Sequence, residues 1–496
     1  MAKPRFFALA LALAACQAAR ANDGSFSIGE PGCAIVNPNP RPNERATWSG
    51  GCRGGFADGD GVLQWLEDDA PASRYEGHLT AGRPDGHGVY EYPASGTRYE
   101  GGFRNGKRDG EGTLTQSTGT ISGHFVNGEP EGDVRMVNKS GYRYDGGFHH
   151  GKANGHGDMT YRDGGHYVGD FVDGKREGQG TLTVTGVTTT GHWVADEPDG
   201  VVEVSGTNGV HYLGHLEHRK ASGEGEMRYA DGGVYKGAFL DGRRHGRGVL
   251  VAPSGTRLDG TWSHDMAEGE VHVAYADGGR YDGAMTHGKR NGRGVLASAD
   301  GSVRDGEWLE DLLEGAGKFT GRDGTAYTGH FRAGKYDGEG VLTTATGDVY
   351  TGSFAAGLVS GPCVLAASNG TRTTGRWDHG ELDGDVEFTP RKGRVSHAHY
   401  RRGVPDGAWD SWSSDGTHIT GEMRNGRLDG PAHFEYADGR TARGRFVQGQ
   451  PDGSWTIVDR HGNSQVIEYE NGEPRRGSPP ASKPESPRQG PPGLQS

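Results

Sequence analysis

A glycine that returns about every 23 residues constrains this chain of 496 residues more than any other feature. It occupies the twelfth position of each repeat, from Gly59 to Gly453, at spacings of 22 to 24 residues after a first interval of 27. The repeats begin at Trp48, and 18 full copies and a partial one end near Arg476. A fixed period of this length is typical of an array in which each repeat packs only on its neighbours. It overrides the expectation of about three globular domains that length alone would give.

One repeat contains two short amphipathic stretches. In the copy that starts at Tyr144, the residues Tyr144, Gly146 and Phe148 alternate with polar residues, and a second alternating stretch runs to Tyr161. This period of two is typical of half-buried strands. The dipeptide Asp163-Gly164 then predicts a tight turn, because glycine takes positive φ freely. Each repeat is therefore predicted to be a β-hairpin, and successive hairpins to form an antiparallel meander.

Glycines at positions 3, 12 and 14 of the repeat are expected to leave space for aromatic rings at positions 1 and 5. Comparison of repeats within the chain supports this interpretation. In four of the repeats that lack the first-position tyrosine, valine replaces glycine at position 14: Ile121 with Val134, Thr189 with Val202, Leu258 with Val271, and Thr373 with Val386. We expect these valines to fill the missing ring volume, as close packing requires. The repeat at Arg304 keeps Gly317 and is an exception.

The pattern Y-x-G-x-F-x-x-G-K-x-x-G-x-G, seen as YEGGFRNGKRDGEG from Tyr99 and YDGGFHHGKANGHG from Tyr144, resembles the MORN repeat. From 396 onward the repeats resemble a variant type found in bacterial proteins. The resemblance implies an all-β fold: an elongated, twisted, solenoid-like single layer of about 19 hairpins. The aromatic residues that define it are Tyr75, Tyr99, Phe103, Tyr144, Phe148, Tyr167, Phe171, Tyr235, Phe239, Tyr281, Tyr327, Phe331, Tyr350 and Phe354.

The first 21 residues are predicted to be an export signal, since a basic start precedes an apolar run too short to span a bilayer. Cys16 after LAA resembles the lipidated cysteine of a bacterial lipoprotein, and Gln17 then indicates the outer membrane. Ordinary cleavage after Ala21 is the alternative, which would leave a soluble periplasmic protein. In either case the chain is expected on the periplasmic side of the envelope. Because that compartment is oxidising, Cys33 and Cys52 are predicted to form a disulfide.

These observations predict five segments. Residues 1–21 form the signal, 22–47 a Pro-rich cap held by the disulfide over the first edge of the array, 48–395 the MORN repeats, 396–476 the divergent repeats, and 477–496 a disordered Pro-rich tail. The non-repeat segments are too short for a catalytic domain. We therefore expect no enzyme activity, no catalytic residues, no cofactor and no metal. The histidines His149, His150 and His156 are interpreted as solvated surface rather than as a metal site.

Charge excludes one class of partner and suggests another. The formal net charge of −13 disfavours nucleic acid. Basic residues nevertheless recur at one loop position and are expected to line one edge, a candidate site for anionic ligands such as phospholipid headgroups: Lys107, Arg108, Lys175, Arg176, Arg243, Arg244, Lys289 and Arg290. Acidic neighbours such as Asp109 and Glu177 would neutralise this edge, which is the interpretation favoured by the acidic total.

The apolar face suggests the function, because a sheet needs something packed against that face and the chain supplies no helices for it. The leading hypothesis is a non-enzymatic envelope scaffold that associates with an envelope protein or with a second copy of itself. The alternative is a module that binds phospholipid or glycan through the basic edge.

Overall fold

The structure is a computed structural model that describes the backbone of residues 25–27 and all of residues 33–475. The export signal, Cys16 and the Pro-rich tail lie outside the described residues. The chain divides into two compact units, Met1–Ala230 and Asp231–Ser496. In the described part of both units nearly every residue lies in a strand or a tight turn, as the repeat pattern predicts.

The first unit has nineteen described strands and one short 3-10 helix, Pro93–Ser95. The strands are β1 Ser25–Ser27, β2 Ala34–Val36, β3 Glu44–Trp48, β4 Gly51–Arg53, β5 Phe56–Glu67, β6 Ala70–Thr80, β7 Arg83–Tyr92, β8 Thr97–Arg104, β9 Lys107–Gln116, β10 Gly119–Val126, β11 Glu129–Asn138, β12 Arg143–His149, β13 Lys152–Thr160, β14 His166–Val172, β15 Lys175–Val184, β16 Val187–Val194, β17 Glu197–Gly206, β18 His211–Glu217 and β19 Lys220–Arg228.

The second unit has twenty-three described strands. They are β20 Val234–Leu240, β21 Arg243–Val251, β22 Arg257–Ser263, β23 Met266–Ala274, β24 Arg280–Thr286, β25 Lys289–Ala297, β26 Val303–Leu309, β27 Leu312–Thr320, β28 Ala326–Arg332, β29 Lys335–Thr343, β30 Val349–Ala355, β31 Leu358–Ala366, β32 Arg372–Asp378, β33 Glu381–Leu382, β34 Gly384–Thr389, β35 Ser396–Arg401, β36 Val404–Trp412, β37 His418–Arg424, β38 Arg427–Glu435, β39 Thr441–Val447, β40 Gln450–Val458, β41 Ser464–Glu470 and β42 Glu473–Pro474.

From β5 onward, strands within each unit pair antiparallel with their sequence neighbours, except that β32 pairs with both the short β33 and β34. The predicted all-β meander of hairpins is confirmed. The repeat at Tyr235 shows the register: Tyr235 faces Leu250, Gly237 faces Gly248, and Phe239 faces Arg244. Asp241 and Gly242 join the two strands, with φ of 52° and 81°. Two positive values at adjacent residues define the type I′ turn that suits hairpins. No helix among the described residues is long and apolar enough to cross a membrane.

The twelfth-position glycines do not have the role that the packing argument gave them. A Cβ at Gly155 or Gly315 would meet nothing within 4 Å, so these glycines leave no space for a ring. Their φ values are 87° and 74°, and the strand register shifts beside them. They are kept because a bulge needs a left-handed residue. The prediction was wrong about the cause, although it identified the position.

Glycines at positions 3 and 14 do leave the predicted space. A Cβ at Gly248 would lie 2.2 Å from the Tyr235 hydroxyl oxygen, and one at Gly180 would lie 2.1 Å from that of Tyr167. The Tyr235 ring packs edge-on against Phe239 at a centroid distance of 5.1 Å and against Trp262 of the next repeat at 5.5 Å. Tyr235 is fully buried as a result. The sheet thus covers its own aromatic residues by laying each ring across its glycines.

The hydroxyl group explains why position 1 is tyrosine rather than phenylalanine. Tyr144 donates to the carbonyl oxygen of Gly147 at 2.7 Å, and Tyr281 donates to that of Ala284 at 2.8 Å. In both repeats the acceptor is the carbonyl at position 4. The bond satisfies a hydroxyl that the ring carries into the sheet. Burial raises the pKa of Tyr281 to about 12.

The N-terminal cap is present, and it contains more structure than the sequence suggested. Cys33 and Cys52 form the predicted disulfide, with their Cα atoms 5.5 Å apart. Strands β1 and β2 and most of β3 lie within the Pro-rich segment 22–47. Strand β3 pairs with β5, and the amide of Ala34 donates to Gly55 at 2.8 Å. The side chain of Ile35 is buried, so the cap contributes to the core as well as covering the first edge.

Candidate interaction surfaces

Most arginines of the predicted basic edge are bound within the sheet; Arg243 is the exception. In three places an arginine at position 10 contacts a tryptophan and an aspartate of the next repeat. Each guanidinium lies 4.4 to 4.5 Å from the tryptophan ring centroid and forms an ion pair of 3.1 to 3.2 Å with the carboxylate. We call these sets the arginine clasps: Arg176–Trp193–Asp196, Arg244–Trp262–Asp265 and Arg290–Trp308–Asp311.

Each clasp fixes its members through several hydrogen bonds. Arg290 donates from Nε to the carboxylate of Asp311 and from a terminal nitrogen to its carbonyl oxygen. The indole of Trp308 donates to the carbonyl of Gly294 at 2.9 Å. Burial opposes ionisation of Asp311, but the hydrogen bonds from Arg290 outweigh it and hold the pKa of that carboxyl below its ordinary value. Arg176 is only 6% exposed.

Arg108 has a related position without the carboxylate. Its guanidinium lies 5.5 Å from the Phe125 ring centroid and donates to the carbonyl of Gly128 at 2.8 Å. Burial lowers the pKa of Arg108. Four of the five arginines of the predicted edge are therefore occupied by contacts within the chain. The edge that remains for an external anion consists of Lys107, Lys175, Arg243 and Lys289.

Carboxylates neutralise part of this remaining edge. Lys289 forms an ion pair with Glu310, and this contact raises the pKa of the lysine. Lys152, at the same loop position, lies 3.4 Å from Asp173. Lys107, Lys175 and Arg243 are exposed. The geometry therefore agrees more closely with the neutralised interpretation than with a continuous basic stripe.

The histidines on the outer face pair with carboxylates across strands. Nδ1 of His149 lies 2.7 Å from Glu131, and this contact lowers the pKa of the glutamate. His156 lies 3.1 Å from Asp170. His150 packs against the ring of His149 at the hairpin turn. Between residues 33 and 475, no group of three or more histidine, cysteine or acidic side chains is arranged to hold a metal ion.

A shallow groove of about 680 Å³ crosses the strands between Thr374 and Gly421, where the divergent repeats begin. Two histidine–carboxylate pairs line it. His399 lies 2.7 Å from Asp385, and His397 lies 3.6 Å from Glu387. These side chains bind one another across the strands, so the groove presents paired charges rather than an isolated acid or base.

Exposed apolar side chains are found in both units, and some of them lie at hairpin tips of the second unit. Four leucines at positions 6 and 9 flank the type I′ turns and are about half exposed; we call them the tip leucines: Leu240, Leu309, Leu312 and Leu358. Leu309 and Leu312 face each other across one hairpin, with exposures of 52% and 48%. The amide of Gly334 donates to the carbonyl of Leu313 at 2.9 Å, which joins one tip to the next. Sequence reasoning missed this surface, although leucine in place of lysine at position 9 was a visible signal.

The fold defines the class of the protein as a tandem array of β-hairpins. Nine segments match the family model described as MORN repeat: residues 75–97, 99–121, 144–166, 167–184, 235–257, 281–303, 305–326, 327–349 and 420–439. The chain is a MORN-repeat protein. The MORN repeat is a non-catalytic repeat family, and an array of this kind is a repeat scaffold that can carry binding surfaces for proteins or membranes.

Among curated proteins, the chain is similar to alsin. It is 36% identical to alsin of Rattus norvegicus over 90 residues, which is 17% of this chain and 6% of alsin. Alsin of Homo sapiens matches at the same identity, over 5% of its length. The chain therefore spans only a small part of the relatives it matches.

Two solved structures have a weak likeness. The TCP10 domain of Danio rerio CPAP matches with a TM-score of 0.20 and 15% identity, over 44% of this chain and 93% of that domain. The TCP domain of Drosophila melanogaster SAS-4, solved with a proline-rich motif of Ana2, matches with a TM-score of 0.22 and 14% identity, over 38% and 99%. Scores at this level carry no functional inference.

Proposed function

We propose that this protein is a non-enzymatic repeat scaffold of the bacterial cell envelope, and that it associates with another envelope protein through its hairpin tips. The tip leucines are the observation that carries the proposal. The aromatic face is buried by the sheet itself, so it is not the face that needs a partner. Leu309 and Leu312 form a paired apolar projection at one hairpin tip, and the buried centre of a protein interface is more apolar than the rest of a protein surface.

The location in the envelope rests on two sequence features and one structural feature. The expected export signal and the lipoprotein-like Cys16 favour a location outside the cytoplasm. The Cys33–Cys52 disulfide agrees with an oxidising compartment, because such bonds are rare where glutathione keeps thiols reduced. Lipid attachment at Cys16 would hold the array at a membrane surface, with the outer membrane as the proposed site.

Phospholipid or glycan binding through the basic edge is the second candidate. Exposed Lys107, Lys175 and Arg243 favour it, since basic residues near anionic headgroups are each attracted by about 1 kcal/mol. The arginine clasps, the contacts of Arg108 and the Lys289–Glu310 pair count against it, because together they occupy five of the eight predicted cations. Protein association is therefore the better supported function.

Crosslinking of the tagged protein in its own cells tests the proposal. Wild type is compared with the double variant Leu309→Ser, Leu312→Ser and with a matched control, Leu213→Ser, whose 46% exposed side chain lies in the first unit. We expect one envelope protein to be captured by wild type and the control and to be lost from the double variant. Equal capture by wild type, the double variant and the control would show that the tip leucines do not bind the partner.

Vesicles containing phosphatidylglycerol test the alternative. The triple variant Lys107→Glu, Lys175→Glu, Arg243→Glu would lose vesicle binding if the basic edge binds headgroups. A Cys16→Ser variant separates this edge from lipid attachment. Vesicle binding by the protein without its lipid, together with its loss in the triple variant, would make the lipid-binding function the leading one.

A further inference from the structure

One of the turns that join successive hairpins differs from the turns on either side of it. In the turn that begins at Ser413, the Ser413 amide donates to the carbonyl of Thr417 at 2.8 Å, and the amide of Gly416 donates to the carbonyl of Ser413 at 2.9 Å. The carboxylate of Asp415 accepts a third bond, from the Thr417 amide, also at 2.9 Å. The turn of the preceding repeat, residues 367–371, is closed by three bonds of the same kind.

The turn between these two, residues 390–394, has none of the three bonds within the described part of the chain. Pro390 has no amide hydrogen to donate. Lys392 replaces the aspartate or asparagine whose side chain accepts from the residue two positions later, which is Arg394 here. Gly393 has a φ of 127°, and its amide does not donate to the carbonyl of Pro390. The turn is therefore open, and the backbone amides of Gly393 and Arg394 are available to an acceptor from outside the chain.

Three cations lie on the same open turn. The side chains of Arg391, Lys392 and Arg394 are exposed, and among the described residues they form no ion pair and no hydrogen bond. The carboxylate of the following turn, Asp415, is already bound by the Ser413 hydroxyl and by a backbone amide. In a chain with a formal net charge of −13, this turn is a local reversal of charge. Like charges so close together repel one another, so the turn attracts an anion.

Two of the three cations are held in place by packing. The guanidinium of Arg394 lies 3.9 Å from the ring centroid of Trp412, and that ring stacks on His418 at 4.1 Å. A Cβ at Gly370 would lie 2.9 Å from Cδ of Arg391, so the stem of this arginine lies across the preceding turn. Side chains that are fixed before a ligand arrives lose less conformational entropy when they bind it.

We propose that the turn at residues 390–394 binds a phosphate group. Successive free amides in a turn form a concavity that binds anions, and the planar fork of arginine matches the geometry of phosphate oxygens. A phosphate monoester carries more than one negative charge near pH 7, so it is attracted by several cations at once. The group belongs either to inorganic phosphate or to a lipid headgroup that ends in a phosphate monoester.

The phosphate site is separate from the surfaces considered above. It lies outside the segments that match the MORN family model, so it is a feature of this chain rather than of the repeat. The basic edge lies in turns within hairpins, whereas residues 390–394 join one hairpin to the next. The proposal does not rest on the scaffold function, because partner capture by the tip leucines and phosphate binding by this turn are measured separately and can each fail alone.

A turn graft tests the site. The triple variant Pro390→Ser, Arg391→Ser, Lys392→Asp gives the turn the Ser-Ser-Asp-Gly sequence of the following repeat, so it should close and fold in the same way. The control Arg322→Ser, Lys335→Asp makes the same change in net charge at exposed residues of the same unit. By titration calorimetry of the purified full chain at low ionic strength, we expect inorganic phosphate to bind wild type and the control alike. It should bind the graft at least about tenfold more weakly, because a charged hydrogen-bonded contact is lost.

Lys392→Asp alone is a second variant that leaves the proline in place, and it should weaken phosphate binding in the same direction as the graft. Far-ultraviolet circular dichroism of each variant checks that the sheet is intact. Equal binding by wild type and a folded graft would overturn the proposal. So would an equal loss in the control, since the effect would then come from the net charge of the chain rather than from this turn.

Vesicles separate the two sources of phosphate. Wild type and the graft are compared in a Cys16→Ser background, which excludes lipid attachment, on phosphatidylcholine vesicles with and without phosphatidic acid. Binding that requires phosphatidic acid and is lost in the graft would support a lipid headgroup as the ligand. Turn-dependent binding of inorganic phosphate without such vesicle binding would support a soluble phosphate. A wild-type chain that binds neither inorganic phosphate nor the vesicles would overturn the proposal.

Discussion

In the repeat that begins at Tyr235 an aromatic ring lies over Gly248, whereas in the next repeat, which begins at Leu258, Val271 fills the corresponding place. A Cβ at Gly248 would overlap the tyrosine ring, and a Cβ at Gly260 would lie 2.7 Å from a methyl group of Val271. Both repeats therefore keep a glycine at position 3 and bury one bulky group above it. The difference teaches that the repeat preserves filled volume rather than a particular residue.

The exception at Arg304 follows the same rule. Gly317 remains glycine although no tyrosine precedes it, because a Cβ there would lie 3.1 Å from the ring of Phe331 in the next repeat. Arg304 itself lies over the Phe319 ring at 5.3 Å. The volume is supplied by a neighbouring repeat, which no inspection of a single repeat could show.

Alkaline titration should affect the tyrosine repeats most strongly. Burial raises the pKa values of Tyr167, Tyr281 and Tyr327 to about 12, above the ordinary value of 10. A raised folded pKa contributes stability that is complete below pH 10 and is lost as the pH rises through 12. We expect absorbance at 295 nm and the far-ultraviolet circular dichroism of the sheet to change together in that window. Full phenol ionisation near pH 10 with the sheet intact would contradict the burial argument.

The next largest effect on stability is expected when the pairing of Tyr235 with Gly248 is replaced by the pairing of leucine with valine. Gly248→Val should lower the free energy of unfolding by about 3 kcal/mol in urea denaturation, because the valine overlaps the Tyr235 ring. Tyr235→Leu should cost about 2–4 kcal/mol through the cavity that it leaves. The double variant recreates the pairing of Leu258 with Val271, and we expect it to be more stable than the sum of the single variants predicts.

Lys236→Ala is the control for this cycle, since its exposed side chain lies on the outer face of the same strand. This variant should leave the free energy of unfolding unchanged within about 0.5 kcal/mol. If the losses of the two single variants simply add in the double variant, with a coupling energy below about 0.5 kcal/mol, then leucine with valine cannot replace tyrosine with glycine at this place.

The sequence predicted the hairpin, its period and the role of glycine at position 14, because these depend on alternation and volume within one repeat. It could not assign Arg176, Arg244 and Arg290 to the interior. Their clasps join position 10 of one repeat to positions 5 and 8 of the next, and an isolated Lys-Arg pair is typical of an exposed edge. The signal was present as Asp196, Asp265 and Asp311, which replace the usual glycine at position 8. Geometry was needed to connect it to the preceding arginine.

A substitution at Arg290 tests how much an arginine clasp contributes to stability. Arg290→Lys keeps the charge but loses the planar fork that binds the carboxylate and carbonyl of Asp311 and stacks on Trp308. We expect the free energy of unfolding of the second unit, measured by urea denaturation, to fall by about 1–2 kcal/mol. Lys289→Ala, at the neighbouring residue, is the matched control and should cost no more than about 0.5 kcal/mol, since its ion pair is exposed. Equal losses for the two variants would remove the clasp as a stabilising element.

Asp311 gives the smallest and most specific test, because its carboxylate is half exposed and its contribution is therefore screened. Hydrogen bonds from Arg290 hold its pKa below the ordinary value in the folded protein, despite opposition from burial. A lowered folded pKa gives stability that is present above the unfolded pKa, near 4, and is lost as the pH falls through the folded value. Asp311→Asn should therefore lower the thermal midpoint slightly at pH 7, and the difference from wild type should vanish as the pH falls below about 4. In the next repeat, position 8 is Gly334, which lacks a carboxylate. If the thermal midpoint of Asp311→Asn stays below that of wild type at low pH, Asp311 acts through the turn geometry that it shares with this glycine rather than through its charge.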